Sequence, residues 1–357
     1  MPVLLYVYFY KYINCHLRLM KKYALLITGC LLIFWSCQRN PLDVDVSGID
    51  TKPLQVMRLE DDVFALKDAG FKEQTEKIKS KYGVLYEYYL RGFLVGHGTA
   101  DSFYKKSVLS FINDRDVRNA YNEVTRIYTG DKINELAGEL NDCVKRFRYH
   151  FPNRKLPAKL LTCTSGWNYA FAYYDSAFVV ALDMYLGDSS VFYQMLHYPA
   201  YQVRKMNSSY LLPDIARGWL LTEFDNSEAE NNLLAHTIFY GKLYYAVNAL
   251  LPDMADSLLI GYTAKQLNYC KTYEKNLWGF FAEKNRLYEN NMNTVRELTS
   301  EGPFTGAISK DCPPRIAMWV GWQIVKSYMK NNEGVTLQQL MEEKNAQKIL
   351  SKSKYRP

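Results

Sequence analysis

The sequence predicts an α+β domain, predominantly α-helical, with a small β-sheet near residues 158–186. Three observations predict it. Apolar residues recur at three- and four-residue intervals on both sides of that region, the region itself breaks into short β-favouring runs, and S/T-x-x-E/Q signatures open helices in the second half. Composition agrees: 357 residues, 48% hydrophobic and 23% charged, describe a globular chain and exclude a disordered tail, a collagen-like repeat and a polytopic membrane protein.

An export signal precedes the domain. From Met20, Lys21 and Lys22 form a positive head, and Tyr23 to Trp35 is an apolar run of 13 residues. A bilayer core of about 30 Å needs about 20, so the run reads as a signal peptide. Phe34-Trp35-Ser36-Cys37 places a small residue before a cysteine, in the manner of a lipobox, which predicts lipidation of Cys37 and anchoring by acyl chains such as palmitate. A signal anchor with Cys37 incidental is the alternative. Residues 1–19 fit no signal feature, and a true start at Met20 accounts for them. The expected division is therefore 1–36 signal peptide, 37–53 lipidated tether and 54–357 a single domain.

Each later element has its own signal. Asn40 to Pro53 is polar, carries Gly48 and reads as a tether. Leu54-Gln-Val-Met-Arg-Leu alternates and predicts a short strand. From about residue 69 to 150 a block of helices follows, with Tyr82, Leu85, Tyr86 and Tyr89, then Val117, Ala120, Tyr121 and Val124, at helical spacing. A helix from Asp131 toward Phe147 closes it before Pro152 and Pro157. In 158–186, Leu160 to Cys163, Ala170 to Tyr174 and Ala177 to Leu182 are strand-like, separated by Ser165-Gly166 and Asp175-Ser176, which gives two or three strands.

Helices return from Ser189. Ser227-x-x-Glu230 predicts a cap opening a helix from Ala229 to Leu251, stopped by Pro252. That helix is nearly long enough to span a membrane. Lys242 near its middle would cost about 2.5–3.5 kcal/mol there, and His236 and Asn248 add to the cost, so it reads as the central helix of a globular domain. Thr263 to Lys284 predicts another helix, Pro313-Pro314 start one through Tyr328, and Thr336-x-x-Gln339 caps the last. Ala317 and Gly321 place two small residues on one side of the Pro314 helix, flanked by Trp319 and Trp322. Core packing explains that stripe, with a binding groove as the alternative.

Charge excludes a nucleic-acid partner. The formal charge is +7, but four of the 44 basic residues and none of the 37 acidic ones lie in residues 1–36, which leaves 40 against 37. A surplus of three has no concentrated basic surface for phosphates. Of the four cysteines beyond Cys37, Cys143, Cys163, Cys270 and Cys312, three pairings are possible in an exported domain, and buried free thiols are equally compatible. The histidines are isolated, and neither His197-Tyr-Pro-Ala-Tyr201 nor His236-Thr-Ile-Phe-Tyr240 supplies the H-E-x-x-H pair of a zinc peptidase. No cofactor and no metal site is expected. Glu223, Asp225, Glu228 and Glu230 near Trp219 could supply a carboxylate pair for hydrolysis, although acidic residues favour a helix start for the macrodipole alone.

Several runs together carry a resemblance. Val56-Met-Arg-Leu-Glu-Asp-Asp-Val-Phe64, Leu182-Asp-Met-Tyr-Leu-Gly187, Tyr240-Gly-Lys-Leu-Tyr-Tyr245, Gly302-Pro-Phe-Thr305, Pro314-Arg-Ile316, Gly321-Trp-Gln-Ile-Val325, Ser327-Tyr-Met329, Ala346-Gln-Lys-Ile-Leu350 and Lys354-Tyr-Arg-Pro357 stand in the order of the gliding-motility lipoprotein GldB family of Bacteroidetes. The resemblance implies a lipid-anchored envelope protein related to gliding and the associated type IX secretion machinery. It further implies a degenerate zincin-like scaffold, with Tyr240 where a ligand Glu would stand. A phenol with a pKa near 10 is a poor substitute for a carboxylate ligand at neutral pH.

The expected function is thus a non-catalytic structural or adaptor lipoprotein in the cell envelope, facing the periplasm, with membrane lipid through Cys37 and other envelope proteins as partners. Gln38, Arg39 and Asn40 after the cysteine lack the acidic cluster of surface-exported lipoproteins, which favours the periplasm. Tyr240, Lys242, Arg315, Trp319 and Trp322 are the candidate interaction surface, since Tyr, Trp and Arg dominate interface energetics. An envelope hydrolase with an unconventional site and a glycan-binding lipoprotein with aromatic stacking platforms are the alternatives, the latter without the repeats of helical sugar binders.

Overall fold

The computed structural model describes residues 42–94, 96–224 and 231–357. Strand β1 (Gln55–Arg58) lies where the alternating run predicts it and leads straight into α1 (Leu59–Phe64). The helical block follows as α2 (Phe71–Tyr82), α3 (Val84–Tyr89) with a π-helical turn over Leu90–Leu94, α4 (Tyr104–Asn113), α5 (Arg115–Ile127) and α6 (Gly130–His150). Asp114 caps α5 by accepting from the N–H groups of Asp116 and Val117, and Thr129 caps α6 through the N–H of Lys132.

Residues 158–186 supply β2 (Lys159–Cys163), β3 (Phe171–Tyr174) and β4 (Ala177–Ala181), and β1 joins them in the order β1-β2-β4-β3. Strands β1, β2 and β4 run parallel, and β3 is an antiparallel edge. The β3–β4 turn is Asp175-Ser176, with φ of 46° and 58°. Two consecutive positive φ values are the hairpin geometry whose twist matches the flanking strands. Met57, Leu161, Cys163, Ala177, Val179 and Ala181 face a core closed by the aromatic rings of Tyr82, Tyr86, Tyr89 and Tyr104. On the other face, the Phe178 ring meets Trp219 edge-on at 5.2 Å, and Phe147 of α6 packs on Trp219 at 4.1 Å. Burial on both faces explains why β2 and β4 are continuous apolar runs.

The second half comprises α7 (Val191–Met195), α8 (Ala200–Val203), α9 (Leu211–Glu223), α10 (Leu233–Leu250), α11 (Asp256–Ile260), α12 (Ala264–Thr272), α13 (Glu274–Ala282), α14 (Met292–Thr299), α15 (Ile316–Asn331), α16 (Leu337–Glu342) and α17 (Ala346–Ser353). Helix α10 is the hub, packed against α9, α15, α16 and α17 and buried around nearly its whole circumference. It crosses α15 at glycines: a Cβ added to Gly241 would lie 2.3 Å from the Gly321 carbonyl oxygen, and one added to Gly321 would lie 1.9 Å from that of Thr237. No helix of the described residues is long and apolar enough to cross a membrane.

The structure corrects three boundaries. Helix α10 begins at Leu233, capped by Asn232, whose Oδ1 accepts from the N–H of Ala235 at 2.9 Å; Ser227 and Glu230 lie outside the described residues. The single helix expected from Thr263 to Lys284 is α12 and α13, broken at Tyr273 and followed by a 3-10 turn over Glu283–Tyr288. The tether expected through residue 53 is laid against α6 from Val44 onward. Arg146 donates to the Val44 carbonyl at 3.0 Å, and the N–H of Leu54 donates to Asn141 Oδ1 at 2.9 Å. Val44–Pro357 forms one compact unit. Cys143, Cys163, Cys270 and Cys312 are buried free thiols.

Candidate functional site

Runs that carried the resemblance converge where α9, α10 and the start of α15 meet. The Leu182–Gly187 run contributes two residues with different tasks. Asp183 is fully buried and accepts from the backbone N–H groups of Ser165 at 3.0 Å and Trp167 at 2.9 Å, pinning the loop between β2 and β3. Tyr185 donates its hydroxyl to Asp214 of α9 at 3.1 Å, while its carbonyl accepts from the Tyr128 hydroxyl at 2.7 Å.

Asp214 in turn pairs with Arg217 one turn along α9 at 2.6 Å. Opposite stands Arg315, 5% exposed, at the N-cap of α15 with a φ of 58°. Its Nη1 donates to the Tyr244 hydroxyl at 2.9 Å and its Nη2 to the Ile260 carbonyl at 2.8 Å. Its Nε lies 3.2 Å from Glu301 Oε1 as an ion pair, yet without the alignment of a hydrogen bond. Glu301 also accepts from Lys205 Nζ at 2.7 Å. The Tyr262 hydroxyl donates to the Pro314 carbonyl at 2.5 Å and its ring lies 5.6 Å from the Arg315 guanidinium, completing an aromatic wall.

The electrostatics follow from this crowding. Burial pushes Lys205 below its ordinary range, and Arg315 and Arg217 push the same way. Burial also works to raise Glu301, but Arg315 and Lys205 outweigh it and hold the carboxyl below its usual range. Burial opposes the charge on Arg217, but Asp214, Tyr244 and Tyr185 outweigh it. The cluster therefore holds three cationic side chains, Lys205, Arg217 and Arg315, against two carboxyl side chains, Asp214 and Glu301. Its rim adds Arg204, whose guanidinium donates to the Gly261 carbonyl at 3.3 Å and lies 3.5 Å from the Tyr210 hydroxyl. Gly261, with a φ of 73°, lets the chain pass; a Cβ there would stand 3.2 Å from the Lys205 stem and 3.3 Å from Arg315 Nη2.

Zinc does not fit this place. Its surplus cations would repel a metal ion, and no three His, Cys, Asp or Glu among the described residues stand together as a ligand group.

The expected interaction surface is corrected. Trp319 is 2% and Trp322 0% exposed, wedged between α15 and its neighbours, with Tyr244 at 5.8 Å from Trp322 and Lys326 Nζ over the Trp322 ring at 3.8 Å. Lys242 is 5% exposed and donates to the carbonyls of Met341 at 3.2 Å and Glu343 at 2.8 Å, stapling α10 to the C-terminal end of α16. Tyr240 is half-buried against Phe239. Because α10 and α15 are enclosed, Lys242, Trp319 and Trp322 are interior, and of the five only Arg315 joins the charged cluster. Glu223 pairs with Arg154 at 3.1 Å; Cys37, Asp225, Glu228 and Glu230 lie outside the described residues. Sequence reasoning missed Asp214 and Arg217, although two charges three apart in the apolar run Leu211-Leu-Pro-Asp-Ile-Ala-Arg-Gly-Trp-Leu-Leu221 were a signal. Lys205 and Glu301 gave none.

Fold and site together define a helix-dominated α+β domain, built around a small mixed sheet, with a cluster of arginine, lysine and carboxyl side chains beside its helical hub. The family model described as gliding motility protein GldB matches residues 39–357, so the chain belongs to the GldB family. No curated protein matches the chain, and no solved structure does.

Proposed function

We propose that this GldB-family chain is an envelope lipoprotein, anchored in a membrane through acylated Cys37, whose periplasm-facing domain serves as a non-catalytic adaptor of the gliding apparatus and the associated type IX secretion machinery. The family match, which begins at residue 39 and runs to the last residue, carries this reading. The docking of Val44–Leu54 along α6 supports it, because a short linker suits a protein that works beside a membrane. A degenerate zincin-like scaffold belongs to the same proposal. The antiparallel edge strand β3, the helix α9 packed against it and the neighbouring helix α10 support that ancestry.

The anchor is tested by replacing Cys37 with Ala in cells fed labelled palmitate: label and membrane association should both be lost, and a variant that stays in the membrane fraction refutes the lipid anchor. Crosslinking in cells followed by co-purification tests the adaptor role. A defined envelope partner is expected, and recovery of the chain alone counts against it.

A further inference from the structure

The cluster has one cationic side chain more than it has carboxyls, and two more when Arg204 is counted. Burying uncompensated positive charge is costly unless something pairs with it. Solvent reaches the place: a quarter of the Arg217 side chain and a fifth of that of Lys205 remain exposed. Guanidinium groups match the planar or tetrahedral oxygens of a carboxylate or phosphate, and with both Nη groups of Arg315 held by Tyr244 and the Ile260 carbonyl it is the Nε edge that is left to receive one. The Nε–H of Arg315, on a side chain 6% exposed, still has no aligned acceptor. Glu301 reads as a placeholder, because it spans Lys205 and Arg315 at 2.7 and 3.2 Å while 41% of its side chain is exposed, so it can swing aside.

We propose that Lys205, Arg217 and Arg315 form a binding site for a small oxyanion group, a carboxylate or a phosphate carried by an envelope component, with Glu301 as the resident group that the ligand displaces. Tyr185 and Asp214 hold Arg217 in place from behind, and Tyr244 holds Arg315. The site does not depend on the lipid anchor or on the adaptor reading, so either can fail without the other.

The test uses the full-length chain purified in detergent, titrated calorimetrically with inorganic phosphate or with acetate, against chloride at matched ionic strength. Saturable binding is expected in at least one arm, and which arm responds separates a phosphate-bearing from a carboxylate-bearing source. Lys205→Met should weaken that binding about tenfold, the loss expected for one charge-assisted hydrogen bond. Glu301→Gln should tighten it severalfold by removing the competing carboxylate, a gain that general damage to the fold would not give. Absence of saturable binding in both arms overturns the site. So does binding that Lys205→Met leaves unchanged or that Glu301→Gln weakens.

Discussion

Replacing Gly321 with Ala adds one methyl group at the α10–α15 crossing, and its cost can be worked from the geometry. The new Cβ would sit 1.9 Å from the Thr237 carbonyl oxygen and 3.1 Å from the Thr237 methyl. Real contacts of this kind are never shorter than 3.0 Å, so the two backbones must separate by about 1 Å or more. A gap of about 0.5–1 Å forfeits a quarter to a half of each dispersion contact across the seam. Overpacking of this kind costs about 3 kcal/mol at the upper end of its usual range, and the better helix propensity of Ala returns about 1 kcal/mol. The net loss is about 2 kcal/mol, or roughly 3 °C in a midpoint followed by circular dichroism for a unit of this size. Gly138→Ala in α6 is the control, since an added Cβ there meets nothing within 4 Å; it should raise stability by up to about 1 kcal/mol. If Gly321→Ala is as stable as the parent while Gly138→Ala behaves as expected, the close crossing of α10 and α15 is refuted. Gly241→Ala should be damaging too, and the double variant should lose less than the two single losses combined, because one displacement relieves both clashes.

Other perturbations separate the remaining features. Ser176→Gly, at a turn position with φ of 58°, should stabilise the β3–β4 hairpin by about 1 kcal/mol in urea denaturation, and a loss of stability would show that the Ser176 side chain does more than occupy the turn. Asp183→Asn should cost about 2–3 kcal/mol, because the amide turns N–H groups toward the backbone donors of Ser165 and Trp167; an unchanged midpoint would remove the carboxylate from the loop's support. Burial raises Glu60 to about 6, although Arg58 and Thr162 pull the other way. Its carboxyl thus holds a proton in the fold after the unfolded chain has released it, and stability falls as pH rises from about 4.5 to about 6. Burial lowers His150 to about 4, which acts oppositely and adds stability between about 4 and 6.5. Glu60→Gln removes the first effect alone, so its stability relative to the parent should improve by about 2 kcal/mol between pH 4 and 7; a difference independent of pH would contradict it.

Local chemistry made much of this fold legible. Thr336 with Gln339 forms a reciprocal cap where the sequence places it, because a capping box needs only four neighbouring residues, and Thr263, expected as a helix start, forms a second one with Gln266. The strand at residue 55 and the three in 158–186 were readable for the same reason, but their joining was not: β1 pairs with β2 across about a hundred residues, and no periodicity reports register at that distance. Lys242 sits inside because α10 is apolar nearly all round, and Trp319 and Trp322 because α15 is buried over most of its first three turns, so neither helix has a continuous polar face to show which side is outside. The break at Tyr273 has no Gly or Pro to announce it. The charged cluster was least visible, since Lys205, Arg217, Glu301 and Arg315 come from separate segments and only tertiary packing brings four ordinary surface-type residues together.

The strapping of Val44 to α6 also decides where a pull on the chain would be felt. Arg146 holds the Val44 carbonyl and Asn141 holds the N–H of Leu54, so the segment between them is fastened at both ends to one helix before β1 begins at Gln55. Force arriving at Val44 would load α6 first and reach the parallel sheet only after both fastenings had given way.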